Sequence, residues 1–202
     1  MFRSRAERKV AEAGYDPSRL PPGQTLTDKW PVLHAGDVAR YATLDTWTFR
    51  VFGEVEQEVE LDWQAFNALP RTENVQDIHC VTRWSHFDMR FEGVHPREVL
   101  ALAHPKPSAR FVVAHAEAGF TTNVPLEFLT ADDALLATHG DGAPLTPEHG
   151  YPLRLVVPGK YFWKSAKWLR GLELTAEDRP GFWERYGYHN DADPWREERY
   201  SF

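Results

Sequence analysis

The chain has 202 residues, 42% hydrophobic and 26% charged, which is enough apolar material for one sizeable soluble domain. Its 23 Lys and Arg against 30 Asp and Glu leave a formal charge of −7, which disfavours nucleic acid as a partner because such a groove needs a basic face. The single cysteine excludes an internal disulfide framework and an iron–sulfur cluster held by four thiolates, and no Cys-x-x-Cys-His haem motif occurs.

The opening "MFRSRAERKVAEAG" is basic and amphipathic without the apolar segment of a secretory signal, and no run has the length of a membrane span. A cytoplasmic protein is expected. Pro and Gly recur through residues 14–36, so residues 1–29 are predicted to form an N-terminal extended arm. In "WTFRVFGEVEQEVELDW", Trp47, Phe49 and Val51 share a face, and Val59 and Leu61 continue after a turn. Asp62 caps a predicted short helix through Leu69, stopped by Pro70. Residues 75–82, "VQDIHCVT", read as a strand carrying Cys80 near its end. "HPREVLALAH" reads as a helix with Pro96 in its first turn and Val99, Leu100 and Ala103 on one side. "RFVVAHA" is a predicted buried strand and "VPLEFL" a helical turn opened by Pro125. "DALLATH" and "YPLRLVVPG" are predicted strands separated by the turn "GDGAP". Strands dominate without regular β-α-β alternation, so the expected fold class is α+β with mixed or antiparallel sheets. From Pro180 onward seven aromatic residues follow, and a tail so rich in rings is expected to pack on the domain or on a partner.

Cys80 admits several readings. A lone cysteine is most commonly a small buried hydrophobe. It could be a nucleophile with His79, His86 or His115 as base, although no hydrolase signature surrounds it. It could join histidines in a zinc site, although neither His-Glu-x-x-His nor paired-cysteine spacing is present. It could also be the single thiolate on a soft metal whose other ligands belong to an organic cofactor. A second cluster runs from Glu148 to Leu174. Arg154 lies inside an apolar strand there, and Lys160, Lys164 and Lys167 follow. These cations are either a solvated face or a phosphate site, since Arg matches phosphate with a bidentate fork. No Gly-rich nucleotide motif accompanies them.

Four blocks taken together, "DIHCVTRWS", "GFTTNVPLEFL", "HGYPLRLVVPGKYFWKSAKWL" and "GFWERYGYHNDADPW", resemble the sulfite oxidase-like family of molybdopterin-dependent oxidoreductases, in particular its small single-domain bacterial members. The likeness runs from about Trp30 to Trp195. It implies a strand-rich α+β molybdopterin-binding domain at 30–178, followed by an aromatic C-terminal extension at 179–202 packed on it. It further implies molybdenum held by a pterin dithiolene and by the Cys80 thiolate, with no haem, iron–sulfur cluster or nucleotide. The matching positions place His149, Arg154, Ser165 and Lys167 on the pterin, and more loosely His34 and His115. Arg154 and Lys167 would pair the cofactor phosphate. Arg83 and Lys164 are the candidate catalytic contacts to substrate, and Arg199 reads as an exposed charge with no part in cofactor retention.

Two positions depart from true sulfite oxidases in this resemblance. Phe120 stands where those enzymes have a tyrosine, and Lys164 where they have an arginine. The expected activity is transfer of an oxygen atom or two electrons to or from a small substrate such as an S-oxide, N-oxide or sulfite-like species. With no second redox centre in sight, an external electron-transfer partner is expected, and no membrane span. The alternative is a domain that binds or stores the cofactor without turnover.

Overall fold

The computed structural model describes residues 4–201. Helix α1 (Arg5–Glu12) begins on a capping box: Ser4 Oγ accepts from the Glu7 amide at 3.1 Å, and the Glu7 carboxylate accepts from the Ser4 amide. Its one fully buried residue, Val10, packs with Leu20 and Phe87. After a 3-10 turn (Pro17–Arg19), strand β1 (Thr25–Leu26) joins a sheet. The expected extended arm is therefore corrected. A helix on its own cap precedes the Pro- and Gly-rich run, and the run itself holds a 3-10 turn and a short strand with a fixed partner.

The rest of the chain forms two mixed sheets, which agrees with the α+β expectation. The first contains β4 (Arg71–His79), β5 (Trp84–Val94), β8 (Leu135–Gly140), β9 (Ala143–Pro144) and β10 (Arg154–Val156), with β1 parallel to the start of β5 and the other pairs antiparallel. The second runs in the order β3 (Val59–Asp62), β2 (Thr48–Gly53), β11 (Leu169–Thr175), β6 (Phe111–Ala116), β7 (Thr121–Pro125), where only the β2–β11 pair is parallel. The period-two pattern around Phe49 sets its register: Phe49 lies opposite Leu61 and Val51 opposite Val59.

Short helices close the second sheet. Asp62 Oδ1 accepts from the Ala65 amide at 2.7 Å and starts α2 (Trp63–Asn67), which buries Phe66 against Trp47 and Phe49. Pro96 opens α3 (Pro96–Ala103), and Val99, Leu100 and Ala103 enter the same core. Helix α4 (Leu126–Thr130) follows Pro125. A second core, of Ile78, Met89, Phe91, Leu135 and Val156, lies against the first sheet. Strand β10 sits between the two cores: Leu155 belongs to one and Val156 to the other. This locks the backbone that carries Arg154.

The C-terminal segment, with α5 (Phe182–Arg185), is tied to the body by charges as well as rings. Lys160 pairs with Asp191, and the Tyr161 amide donates to Ala192 O at 2.8 Å. Arg199 is only 5% exposed, lies over the Tyr161 ring and donates to Val81 O at 2.7 Å. The reading of Arg199 as an exposed charge is thus wrong. Its guanidinium clamps the turn that holds Cys80. Among the described residues no helix is long and apolar enough to cross a membrane.

Candidate functional site

Strand β4 ends at His79, and the chain then turns sharply to enter β5. The Cys80 amide donates to Trp84 O at 2.9 Å and the Arg83 amide to Cys80 O at 3.0 Å, with Arg83 in the left-handed region at φ 73°. Gln24 Nε2 donates to Cys80 O at 2.9 Å, so the segment before β1 and the Arg199 clamp hold the turn from two sides. This presents the Cys80 side chain to a cavity of about 640 Å³. Thr82 Oγ1 donates to Cys80 Sγ at 3.2 Å. Burial pushes the thiol up, against the opposing pull of the Thr82 contacts and the Arg199 charge.

The far wall of the cavity is cationic. Arg154 is 2% exposed, and its guanidinium donates to His149 O and Ser165 O, both at 2.9 Å, while lying 4.2 Å from the Phe162 ring centre. Among the described residues it has no carboxylate partner, and burial pulls its basicity down. Lys167 donates to Leu33 O at 2.7 Å and Glu148 O at 2.8 Å. Burial first, then the Arg154 charge, lowers its pKa to about 7. Of the two, Lys167 feels the Glu148 charge, which is shared with Arg40, while Arg154 has no carboxylate partner, so the wall is left short of counter-charge. His149 stacks on Trp30 at 3.9 Å, Ser165 Oγ accepts from the Val157 amide at 3.0 Å, and exposed His34 reaches the rim.

Cys80, His34, His149, Arg154, Ser165 and Lys167 therefore share one cavity, while three expected site residues lie elsewhere. His115 does not line the cavity; it sits on β6, hydrogen-bonded through Nε2 to the Glu173 carboxylate at 2.9 Å. Arg83 lends its backbone to the Cys80 turn, but its exposed side chain points toward Gly23. Lys164 is 1% exposed and bonded to Glu184 at 2.7 Å and Asn123 O at 2.8 Å, outside the cavity wall. Each was expected at the site from its place in a motif, and His115 and Lys164 are drawn off by partners remote in sequence.

The same geometry weighs against the other readings of Cys80. His79 donates to or accepts from Ser85 Oγ at 2.8 Å, and burial lowers its pKa to about 4. No histidine among the described residues hydrogen-bonds Cys80, so a nucleophile would lack its base. Among the described residues no group of three or more His, Cys, Asp or Glu is placed to hold a metal ion.

The sequence reading missed most of the aromatic wall, where Phe120, Trp163, Phe182, Trp183 and Tyr188 join the cavity that Cys80 lines. The signal was the aromatic tail, whose Tyr188 packs on both Trp163 and Trp183.

Residues 35–183 match the family described as the oxidoreductase molybdopterin binding domain. The chain belongs to this family. It is a molybdopterin-binding oxidoreductase, as the sequence blocks implied. It is 48% identical over 184 residues, 91% of the chain and 93% of the relative, to the uncharacterized oxidoreductase YuiH of Bacillus subtilis. It is 29% identical to the protein-methionine-sulfoxide reductase catalytic subunit MsrP of Campylobacter jejuni, over 79% of the chain and 61% of that protein. Its fold is similar to that of the sulfane dehydrogenase SoxCD of Paracoccus pantotrophus, with a TM-score of 0.65 and 25% identity, over 72% of this chain and 42% of that one. The molybdopterin oxidoreductase thus spans most of one relative and less than two thirds of the other two.

Proposed function

We propose that this oxidoreductase reduces a small uncharged S-oxide. The observation that carries the reading is the neutralised Lys164. Its charge lies against Glu184, both side chains at most 2% exposed. Phe120 lines the cavity that holds Cys80, and among the described residues the only Arg and Lys side chains lining it are Arg154 and Lys167, which the cofactor phosphate would take. An anion such as sulfite would be desolvated there without a partner, whereas a neutral S-oxide loses little. The name of the relative MsrP, a protein-methionine-sulfoxide reductase subunit, supports the same class.

The residues present suit a molybdenum–molybdopterin cofactor, because buried Arg154 has no carboxylate partner among the described residues and the cavity holds a thiol. Arg154 and Lys167 would take its phosphate, His149, Ser165 and His34 its polar edge, and Cys80 the metal as a soft thiolate. When bound, the cofactor supplies two-electron chemistry at the metal. The protein supplies the rest: it fixes the Cys80 turn through Gln24 and Arg199, offers charge at one end, and walls the other with rings. Overall, an S-oxide takes up two electrons and two protons and leaves as a thioether and water. The electrons come from an external reduced carrier, consistent with one cysteine and no haem motif in the chain. His115, Arg83 and Lys164 take no direct part in this reading.

The test is steady-state turnover of the molybdenum-loaded enzyme with an artificial electron donor or acceptor. The expected kcat/KM for methyl phenyl sulfoxide exceeds that for sulfite by at least tenfold. A preference for sulfite would overturn the reading.

A further inference from the structure

Among the described residues three hydroxyl-bearing side chains line the cavity: Thr82, Ser165 and Tyr188. Thr82 gives its hydrogen to Cys80 Sγ, and Ser165 lies at the cationic end, bonded to the Val157 amide. The Trp163 indole N–H is committed to Glu184 at 2.9 Å and that of Trp168 to Pro147 O at 2.7 Å. Trp84 Nε1 is unpaired but sealed from solvent. Tyr188 is different. Its phenol oxygen makes no hydrogen bond to any described residue, although the residue borders the same cavity as Cys80.

The ring is held firmly. It meets Trp163 edge-on at 5.0 Å, Trp183 at 4.9 Å and Tyr200 at 5.3 Å. Its amide donates to Trp183 O at 3.0 Å, and Ser201 Oγ donates to its carbonyl at 2.9 Å. A phenol is protonated at neutral pH, so the hydroxyl is available as a donor. A phenol fixed in an aromatic setting, with nothing in the chain to bond, is prepared for an acceptor from outside. Tyr188 also lies beyond the residues 35–183 that match the family, so the group belongs to this chain's C-terminal segment.

We infer that Tyr188 binds substrate: its hydroxyl donates a hydrogen bond to the oxygen of an uncharged S-oxide, whose apolar substituent lies against the Trp163, Trp183 and Phe120 rings. This rests on the S-oxide reading above. Sulfur and methyl groups pack well on aromatic faces, and the phenol supplies the polar contact that tells an S-oxide from its thioether.

The experiment uses a matched pair, methyl phenyl sulfoxide and methyl phenyl sulfide, which differ by the single oxygen. Calorimetric titration of resting holoenzyme gives both affinities, in wild type and in Tyr188→Phe, and steady-state kinetics gives kcat/KM for the sulfoxide. Molybdenum content and Tm establish that the variant is loaded and folded. Tyr188→Phe should weaken sulfoxide binding and lower kcat/KM roughly tenfold, the loss of one hydrogen bond, and leave sulfide affinity within about twofold. Equal losses for both ligands would make Tyr188 a mere wall and overturn the inference. So would an unchanged sulfoxide affinity. Should the variant not fold, wild type alone decides, because binding sulfoxide no tighter than sulfide removes the proposed contact. Tight, Tyr188-dependent sulfoxide binding without turnover would instead sink the reductase reading and leave the Tyr188 contact standing.

Discussion

Replacing Lys167 by Met in cofactor-free protein tests whether the cationic wall is an anion site. Burial and the neighbouring Arg154 charge drop Lys167 from 10.5 to about 7. At 1.36 kcal/mol per unit, that shift corresponds to about 5 kcal/mol of penalty on the charged form. Part of the ammonium still reaches solvent, and screening leaves roughly half, about 2 kcal/mol. The sign follows from proton counts. Between the folded value near 7 and the unfolded value near 10.5 the unfolded chain binds more protons, so wild-type stability rises with pH across that window. The penalty is fully present below it. Lys167→Met removes this dependence and sacrifices the bonds to Leu33 O and Glu148 O, a loss that does not vary with pH. The advantage of Lys167→Met over wild type should therefore shrink by about 2 kcal/mol between pH 6 and pH 10, which is about 4–8 °C in Tm for a chain of this size. Protein made in a host that cannot synthesise molybdopterin, unfolded in urea at several pH values, gives the measurement. A difference that stays constant across that range would refute the idea of an uncompensated buried cation.

Arg154→Met should cut pterin and molybdenum content per protein at least tenfold, because the cavity loses its most buried cation; equal occupancy would contradict the phosphate role. Glu184→Gln leaves Lys164 buried without a counter-charge and should cost about 3 kcal/mol in urea unfolding, while a loss under 1 kcal/mol would show that the pair matters little. In cofactor-free protein Cys80 should react with iodoacetamide more slowly than free cysteine at pH 8, since burial raises its thiol; faster labelling would revive the nucleophile reading.

Much of the scaffold was legible because its signals are local. Alternation around Phe49, the Asp62 cap and Pro96 at a helix start each act within a few residues, and each produced the element expected. Strand β5 was missed although Phe87, Met89 and Phe91 alternate, because the sequence reading ended its strand at residue 82. For the site, local reading was enough to suggest that Cys80 and Arg154 matter, because a lone thiol and a cation among aliphatics are anomalies in place. It could not tell which motif residues face the cavity. Lys164 is taken by Glu184, and His115 by Glu173 from the neighbouring strand β11. Arg199 looked like an ordinary tail charge, and only folding brings it to Val81 beside the thiol. Such pairings depend on the sheet order, which no short window of sequence contains.

The central claim is that the Cys80 thiolate holds the metal at the aromatic end of the cavity. X-ray absorption at the molybdenum edge, on loaded wild type and loaded Cys80→Ser, tests it most directly because it counts sulfur neighbours of the metal independently of any substrate. The account predicts one sulfur fewer in Cys80→Ser, with molybdenum still bound through its pterin. An unchanged sulfur count would contradict it.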